Sequence, residues 1–163
     1  MEVITLTKKQ IHNQGQFGLY FRTSQREGIK ISKDSGYQNP ILNLNSKKNQ
    51  KIIKEATIGL LAGSATKDVV LVTYMGKFYL GIRQRHITGK FDQDTNISKV
   101  KRSLNSKQII HGDLHYKNII INKHGPNVID FDPCLSYFVG PKPVYYTVKN
   151  RIIKKIKKNL AQA

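Results

Sequence analysis

Short alternations of apolar and polar residues dominate the first half of the chain and predict strands. In such a stretch, successive side chains point to opposite faces of a sheet, so one face is apolar and the other polar. The predicted strands are residues 3–6, 19–22, 29–31, 69–74 and 78–82. The first two flank a glycine-containing turn at 12–18, and the last two are joined by the turn Met75-Gly76-Lys77, as in a hairpin. Together they indicate a small antiparallel sheet.

Apolar residues recur with helical spacing in three other places. The predicted helices are residues 48–61, residues 96–108 and the tail from Pro143. In the tail, Val148, Ile152 and Ile156 share one face, and lysine or arginine occupies most of the rest. This amphipathic pattern predicts a basic helix that packs on the second half of the protein.

Polar stretches separate these elements. Connectors are predicted at residues 33–48 and 83–95, and two further short strands at 119–121 and 128–129 surround a turn that contains Gly125-Pro126. The order along the chain is strands, helix, strands, helix, strands, helix. This order predicts an α+β protein with a small sheet first and a mostly helical second half.

Basic residues far outnumber acidic ones. The chain of 163 residues has 28 Lys and Arg against 10 Asp and Glu, which gives a net charge of +18 and a pI near 10.1. Such a surface attracts nucleic acid, anionic membranes, nucleotides or acidic protein faces. The single cysteine, Cys134, excludes an internal disulfide framework and suits a reducing compartment. No apolar run approaches the roughly 18–20 residues that span a bilayer.

The scarcity of acids makes their positions informative. Three of the seven aspartates, Asp113, Asp130 and Asp132, fall within twenty residues of each other in the segment HGDLHYKNIIINKHGPNVIDFD. A hairpin in this segment can bring Asn118 and Asp130 to the same end, where both could ligate one hard cation. Magnesium suits this pair because it needs few protein oxygens and leaves other positions to water and phosphate. Asp113, five residues before Asn118, could accept a proton from an attacking hydroxyl.

The motifs HGDLHYKN and IDFD resemble the protein-kinase-like superfamily, which includes the aminoglycoside and choline kinases. The resemblance implies that Asp113 is the catalytic base, that Asn118 is a magnesium ligand and that Asp130 is the main magnesium ligand. Gly112 stands where many protein kinases have arginine, so control through a phosphorylated activation loop is not expected. Asp132 replaces the glycine that usually follows Phe131, as in many small-molecule kinases of the superfamily.

The first half of the chain contains further parts of this pattern in the expected order. The segment Gly15-Gln16-Phe17-Gly18 resembles the end of the loop that covers the nucleotide phosphates in kinases. The strand Ile29-Lys30-Ile31 resembles the one whose lysine holds the α and β phosphates. Glu55, in the first predicted helix, is then the carboxylate that orients Lys30. The resemblance therefore implies that Lys30 and Glu55 belong to the catalytic set.

The resemblance also places the adenine of ATP. The hairpin 69–82 ends where a kinase has the hinge between its lobes, so the backbone of Arg83, Gln84 and Arg85 is expected to hydrogen-bond adenine. Tyr20 and Ile29 are expected to line the apolar part of that pocket. ATP and Mg²⁺ are the cofactors that this interpretation implies.

The implied architecture is a minimal bilobal protein-kinase-like fold of the α+β class. It has a small antiparallel N-lobe sheet plus one helix, over about residues 1–83, and a truncated helical C-lobe over 84–163, which together form a single kinase-like domain. Only 33 residues follow Asp130, and no APE-like segment is present. This compact layout is similar to the type III effector Ser/Thr kinases that bacteria inject into host cells.

The effector resemblance implies a protein that is cytoplasmic in its producer and secreted into the host cytosol. Members of that group bind ubiquitin-loaded conjugating enzymes or phosphorylate a heat-shock chaperone, which makes these candidate targets. The +18 charge favours an acidic-surfaced protein as substrate or activator. Two alternatives stay open at this point: a small-molecule phosphotransferase of the aminoglycoside or choline kinase type, and a basic nucleic-acid-binding module without catalysis.

Overall fold

Six strands from the first half of the chain form one sheet in the computed structural model, which describes residues 3–14, 18–38 and 43–161. The strands are β1 (Ile4–Thr5), β2 (Ile11–Gln14), β3 (Gly18–Arg22), β4 (Glu27–Ser32), β5 (Thr66–Tyr74) and β6 (Lys77–Arg85). Their order across the sheet is β1-β5-β6-β4-β3-β2. All neighbours are antiparallel except β1 and β5, which are parallel.

Three helices and two small two-stranded sheets complete the structure. The helices are α1 (Lys47–Leu61), α2 (Ile97–Ser106) and α3 (Lys142–Ala161). The remaining strands are β7 (Ile109–Ile110), β8 (Ile119–Asn122), β9 (Gly125–Val128) and β10 (Tyr137–Phe138), paired as β7–β10 and β8–β9. The predicted α+β class is confirmed.

The predicted hairpin at Met75-Gly76 is confirmed as the β5–β6 turn. Both residues have positive φ, 49° at Met75 and 72° at Gly76. Two consecutive left-handed residues match the right-handed twist of the paired strands, and glycine adopts that conformation without steric cost.

The strand predicted at 3–6 does not pair with the strand at 19–22. The partner of β3 is β2, which was not predicted, and β1 pairs with β5 at the opposite edge of the sheet. Strand β2 occupies the first part of the turn predicted at 12–18. The strand was missed because it lies at the sheet edge with three exposed polar residues, His12, Asn13 and Gln14, and so lacks the apolar alternation of a half-buried strand.

Helix α1 begins at a side-chain cap and packs on one face of the sheet. The Ser46 hydroxyl accepts a hydrogen bond from the Asn49 amide, which satisfies one of the free amides of the first turn. Ile52, Ile53 and Ala56 then recur at helical spacing and form a buried cluster with strand residues. The strand members of that cluster are Val69, Leu71, Leu80 and Ile82.

Helix α3 packs on the first half of the protein rather than on the second, contrary to prediction. Ile152 and Ile156 are buried in the same cluster as α1 and the central strands. The first turn of α3 contacts the second half, where Tyr145 stacks near Phe138 with ring centroids 6.4 Å apart. The amphipathic pattern identified the buried face of the helix, but it contained no information about which surface covers that face.

Candidate phosphate-transfer site

A row of three side chains across the sheet forms one wall of the candidate site. In the strand registers, Tyr20 of β3 lies opposite Lys30 of β4, and Lys30 lies opposite Ile82 of β6. Directly paired residues share a sheet face, so all three point toward α1. Ile29 and Ile31 alternate to the other face and are buried there. Ile31 still contributes to the cavity lining, but Ile29 is not among the described residues that line it, contrary to the prediction.

The row opens into a cavity of about 900 Å³, which lies between the sheet, α1 and the segment after β9. Ligand cavities of this size commonly hold nucleotide-sized molecules. Helix α1 presents Lys48, Lys51, Ile52 and Glu55 to the cavity. The spacing of these residues is i, i+3, i+4 and i+7, which places them on one helix face. Lys48 and Lys51 were not predicted as site residues, although their helical spacing from Glu55 already indicates that they share its face of the helix.

Lys30 is held by two carboxylates that come from distant parts of the chain. Its Nζ lies 2.8 Å from Glu55 Oε1 and also pairs with Asp130 Oδ1. Glu55 is supplied by the middle of α1, and Asp130 follows strand β9. The structure thus brings together three of the predicted site residues, which are separated by up to one hundred positions in sequence.

Burial and charge act in opposite directions on this cluster. Burial alone would lower the pKa of Lys30, but the adjacent Glu55 and Asp130 carboxylates outweigh it and raise that pKa well above its usual value. Burial raises the pKa of Glu55, and the Lys30 ammonium opposes this shift. Lys30 is therefore a permanent cation at physiological pH, placed where a nucleotide phosphate could approach it.

Asp130 has an unusual backbone conformation. Its φ is 60°, in the left-handed region that few residues other than glycine adopt. Aspartate tolerates this region better than most residues, yet the conformation still costs energy and persists only where surrounding contacts impose it. Here the Ile129 amide donates to the Asn118 carbonyl at 2.9 Å, and the buried Phe131 side chain anchors the next position. These contacts fix the direction of the Asp130 carboxylate.

The loop before β8 is organised around two partly or fully buried polar side chains. His111 Nε2 lies 3.2 Å from the Ile129 carbonyl, and its ring lies 5.0 Å from the Phe131 ring. The side-chain amide of Asn118 donates to the backbone carbonyl of Asp113 at 2.8 Å. These contacts tie the loop that holds Asp113 to the segment that holds Asp130.

Asn118 and Asp130 lie at the same end of the β8–β9 hairpin. Ile119 pairs with Val128 in the register, and the 2.9 Å hydrogen bond between Asn118 and Ile129 extends the pairing by one step. Asn118 is buried, whereas the Asp113 side chain is 54% exposed. Neither Asp113 nor Asn118 is among the described residues that line the cavity, so they stand beside the Lys30 cluster rather than inside it.

The donor set fits magnesium better than a metal that needs many protein ligands. Among the described residues, no three His, Cys, Asp or Glu side chains are grouped as a metal centre. Magnesium requires only one or two carboxylates when phosphates and water fill its remaining positions. The Asp130 carboxylate and the side-chain oxygen of Asn118 match that requirement. The side-chain nitrogen of Asn118 already donates a hydrogen bond to the Asp113 carbonyl.

The predicted phosphate-covering loop is only partly described. Gly15, Gln16 and Phe17 lie outside the described residues, while Gly18 begins β3 and lines the cavity. A Cβ at Gly18 would lie 3.0 Å from the Ile31 carbonyl oxygen, closer than almost all real Cβ contacts. Glycine at this position therefore permits close approach of β3 and β4 at the cavity wall.

The connector predicted at 83–95 begins later than expected, because β6 continues through Arg85. Arg83 pairs with β4 on one side and β5 on the other, and its guanidinium binds Asp68 away from the cavity. The Arg85 amide donates to the Ala65 carbonyl at 2.8 Å. The expected adenine contacts from the Arg83 and Arg85 backbone are therefore not supported, although the residues Gln84 and Arg85 line the cavity.

Aromatic and imidazole rings line the end of the cavity near Gln84. Tyr20 Oη lies 3.1 Å from His86 Nδ1, and these two rings are nearly parallel with centroids 5.9 Å apart. His12 meets His86 edge-on at 4.9 Å. A Cβ at Gly28 would lie 2.1 Å from the Tyr20 hydroxyl, so the tyrosine ring occupies the space that this glycine leaves open. His12 and His86 were missed because isolated histidines in polar segments give no sequence signal.

A second cavity of about 200 Å³ lies between α2, the end of α1 and β9. It is lined by residues such as Lys99, Ser103 and Lys107 and contains no carboxylate. The Lys30, Glu55 and Asp130 side chains line the larger cavity, not this one. Within the part of the chain that the structure describes, no helix is both long and apolar enough to cross a bilayer.

The similarities of this chain to known proteins are found among solved structures, not among family models or curated sequences. No protein-family model matches the chain, and no curated protein matches its sequence. Among solved structures, the chain is similar to WbdD in its co-crystal structure with the kinase inhibitor LY294002. The TM-score is 0.44 and the sequence identity is 12%, over 78% of this chain and 33% of that one. The chain therefore spans about a third of the length of the WbdD chain.

Proposed function

We propose that the protein is an ATP-dependent phosphotransferase of the kinase-like type. The observation that carries this proposal is the cluster of Lys30, Glu55 and Asp130 on the wall of a nucleotide-sized cavity. In a chain of charge +18, basic residues outnumber acidic ones. A lysine that is shared by two carboxylates is the reverse of what this composition favours. Such an arrangement suits a site where a cation and a metal ion must both meet phosphate.

In this proposal the nucleotide phosphates lie against Lys30, whose direction Glu55 fixes through the 2.8 Å ion pair. Asp130 and Asn118 would hold magnesium, and the metal would offset negative charge on the phosphates. Asp113 would orient the acceptor hydroxyl and accept its proton. The hydroxyl oxygen bonds to the γ-phosphorus of ATP as the bond from that phosphorus to the β–γ bridging oxygen breaks, and ADP leaves. The hydrogen bond from the Asn118 side-chain amide to the Asp113 backbone carbonyl would keep the proposed catalytic base, Asp113, at a fixed separation from the proposed metal ligand, Asn118.

The base of the nucleotide would lie at the end of the cavity formed by Tyr20, Gln84 and His86. Tyr20 and His86 present nearly parallel rings there, and flat rings stack well on a nucleobase. In this proposal Gln84 and Arg85 contribute side chains rather than backbone. Gly18, which lines the cavity at the start of β3, would lie beside the phosphates.

We favour a protein hydroxyl as acceptor, and an acidic-surfaced protein as its source. Between Arg85 and α3, the described residues form one helix and two small sheets, which offer little material for an enclosed small-molecule pocket. The strongly basic surface would attract an acidic partner by electrostatic steering. The effector role on a host protein is part of this proposal. It rests on the resemblance of the compact layout, from Val69–Tyr74 through the Met75-Gly76 turn to HGDLHYKN, to the type III effector kinases.

The experiment is phosphate transfer from γ-labelled ATP with magnesium. Wild type and Asp113→Asn are compared on casein, on a eukaryotic lysate, and on a panel of sugars, choline and aminoglycosides. Label on protein that Asp113→Asn fails to produce supports a protein kinase. Label confined to the small molecules would instead identify a small-molecule phosphotransferase. No transfer and no nucleotide binding, with steeply salt-dependent binding of DNA or RNA, would overturn the proposal in favour of the nucleic-acid alternative.

A further inference from the structure

Lys54, the residue immediately before Glu55, does not extend into water as most lysines on this surface do. Its Nζ donates to the Pro133 carbonyl at 2.5 Å and lies 4.4 Å from the centroid of the Tyr137 ring. The residue is only partly exposed. A lysine ammonium can donate to a carbonyl and attract the face of an aromatic ring at the same time.

The segment that Lys54 contacts is the one that follows Asp130. It folds as a tight turn, in which the Asp132 amide donates to the Asp130 carbonyl at 3.0 Å. The Cys134 amide donates to Asp132 Oδ1 at 2.6 Å, and the Tyr137 hydroxyl donates to the Cys134 carbonyl at 2.6 Å. A displacement of Tyr137 would therefore be transmitted through this turn to Asp130.

Tyr137 also connects this turn to the loop of the proposed base. It lies in β10 directly opposite Ile110 of β7, and His111 follows Ile110 in the chain. The Tyr137 ring thus contacts α1 on one side, while its backbone pairs with the strand that leads to Asp113. Three parts of the site meet at the Lys54–Tyr137 contact: the helix of Glu55, the segment of Asp130 and the loop of Asp113.

We propose that Lys54 is a positioning residue, which fixes the Asp130 segment and the Asp113 loop relative to Glu55 through Pro133 and Tyr137. This inference rests on the proposed phosphotransferase function and concerns how its site is held together. Lys54 touches no reacting group. Its effect is on geometry, and misplacement by about 1 Å can cost on the order of 10²-fold in rate.

The first test measures hydrogen exchange of the amides in residues 132–139. Lys54→Met should speed their exchange about tenfold, because the turn loses its contact with α1. Lys47→Met is the matched control, since Lys47 is an exposed lysine on the first turn of the same helix, and it should leave this exchange unchanged. Unchanged exchange in Lys54→Met would overturn the proposal.

The second test measures transfer from Mg·ATP to casein. Lys54→Met should lower kcat about 10- to 100-fold with little change in KM for ATP. Lys54→Arg should recover most of the loss, because arginine also donates to carbonyls and stacks on tyrosine. Because Lys54 and Tyr137 act as one unit, the double variant Lys54→Met/Tyr137→Leu should lose no more than the worse single variant.

The outcomes separate this inference from the proposed function. An active wild type with Lys54→Met as active as Lys47→Met would overturn the positioning role and leave the phosphotransferase intact. A wild type that neither binds Mg·ATP nor transfers phosphate would overturn the proposed function, and the positioning role with it. Loss of kcat that Lys54→Arg does not recover, with multiplicative losses in the double variant, would also contradict the role.

Discussion

Two ion clusters in this protein have opposite compositions. In one, a single cation, Lys30, is shared by the carboxylates of Glu55 and Asp130. In the other, a single carboxylate, that of Asp68, is shared by Arg83 and Lys155. The second cluster is what a chain with 28 basic and 10 acidic residues should form wherever an acid is partly buried. The first gathers scarce acids around one lysine, and stability alone does not require that.

The two clusters also differ in their surroundings. The Asp68 cluster joins β5, β6 and α3 by a two-pronged arginine contact, with nitrogen–oxygen distances of 2.9 and 2.8 Å, and lies outside the cavity lining. The Lys30 cluster opens on the large cavity and includes an aspartate in left-handed conformation. The proposed function therefore implies a division, in which the Asp68 cluster holds helix α3 on the sheet and the Lys30 cluster binds the nucleotide phosphates.

The largest expected effect on phosphate transfer follows the replacement of Asp113, which stands beside the Lys30 cluster, or of Asp130, which belongs to it. Asp113→Asn should lower kcat for phosphate transfer by about 10²–10⁴-fold, because the acceptor hydroxyl loses its base. Asp130→Asn should lower it at least as far, since the metal loses its charged ligand. Asparagine is chosen over alanine at Asp130 because asparagine tolerates a φ of 60°. Transfer assays with circular dichroism as a folding control measure this, and full activity in either variant would contradict the assignment.

A smaller effect is expected when one lysine is removed from each cluster. Lys30→Met should lower transfer by about 10²–10³-fold, because the phosphates lose their fixed cation. Lys155→Met should leave transfer unchanged at a temperature where the protein is folded, and lower only its Tm. Parallel measurements of transfer rate and Tm test the division directly. It fails if the two variants lose activity equally.

Removal of the acid from the second cluster tests stability alone. Asp68→Asn should lower the free energy of unfolding by about 1–3 kcal/mol, because two cations lose a carboxylate that is only 14% exposed. Urea denaturation measures this quantity. An unfolding free energy equal to that of wild type would show that helix α3 is held by its apolar face alone.

The smallest expected effect is a pH dependence of that same stability. Burial alone would raise the pKa of Asp68, but the hydrogen bonds and charges of Arg83 and Lys155 outweigh it and lower that pKa. A carboxylate with a lowered folded-state pKa contributes its full stability above its unfolded value of about 3.9. The contribution is lost as pH falls through the folded value. The Tm difference between wild type and Asp68→Asn should therefore be constant from pH 7 to 5 and shrink below about pH 4.

The sequence predicted the Lys30 cluster better than it predicted the Asp68 cluster, for a physical reason. Lys30, Glu55 and Asp130 each stand in a segment that resembles part of the kinase pattern, and that resemblance implied that the three side chains meet. Asp68 and Lys155 are 87 positions apart, and nothing in the local pattern of either indicates the other. Their contact depends on where α3 packs, which amphipathic spacing does not specify.

The same limit explains which parts of the fold were predicted. The central strands and all three helices have apolar spacing that is strong enough to identify them. Strand β2 is polar and exposed, and β7 and β10 contain two residues each, too few to show any period. The contact between Lys54 of α1 and Tyr137 involves the weakly patterned strand β10, so only the folded structure could indicate it.

The central claim is that Lys30 and Asp130 face the phosphates and the metal of one nucleotide. Titration calorimetry of ATP tests it most directly, with wild type and Asp130→Asn each measured in magnesium and in EDTA. We predict that magnesium strengthens ATP binding to wild type by tenfold or more and has little effect on Asp130→Asn. The claim is contradicted if wild type binds no ATP, or if magnesium strengthens binding equally in both proteins.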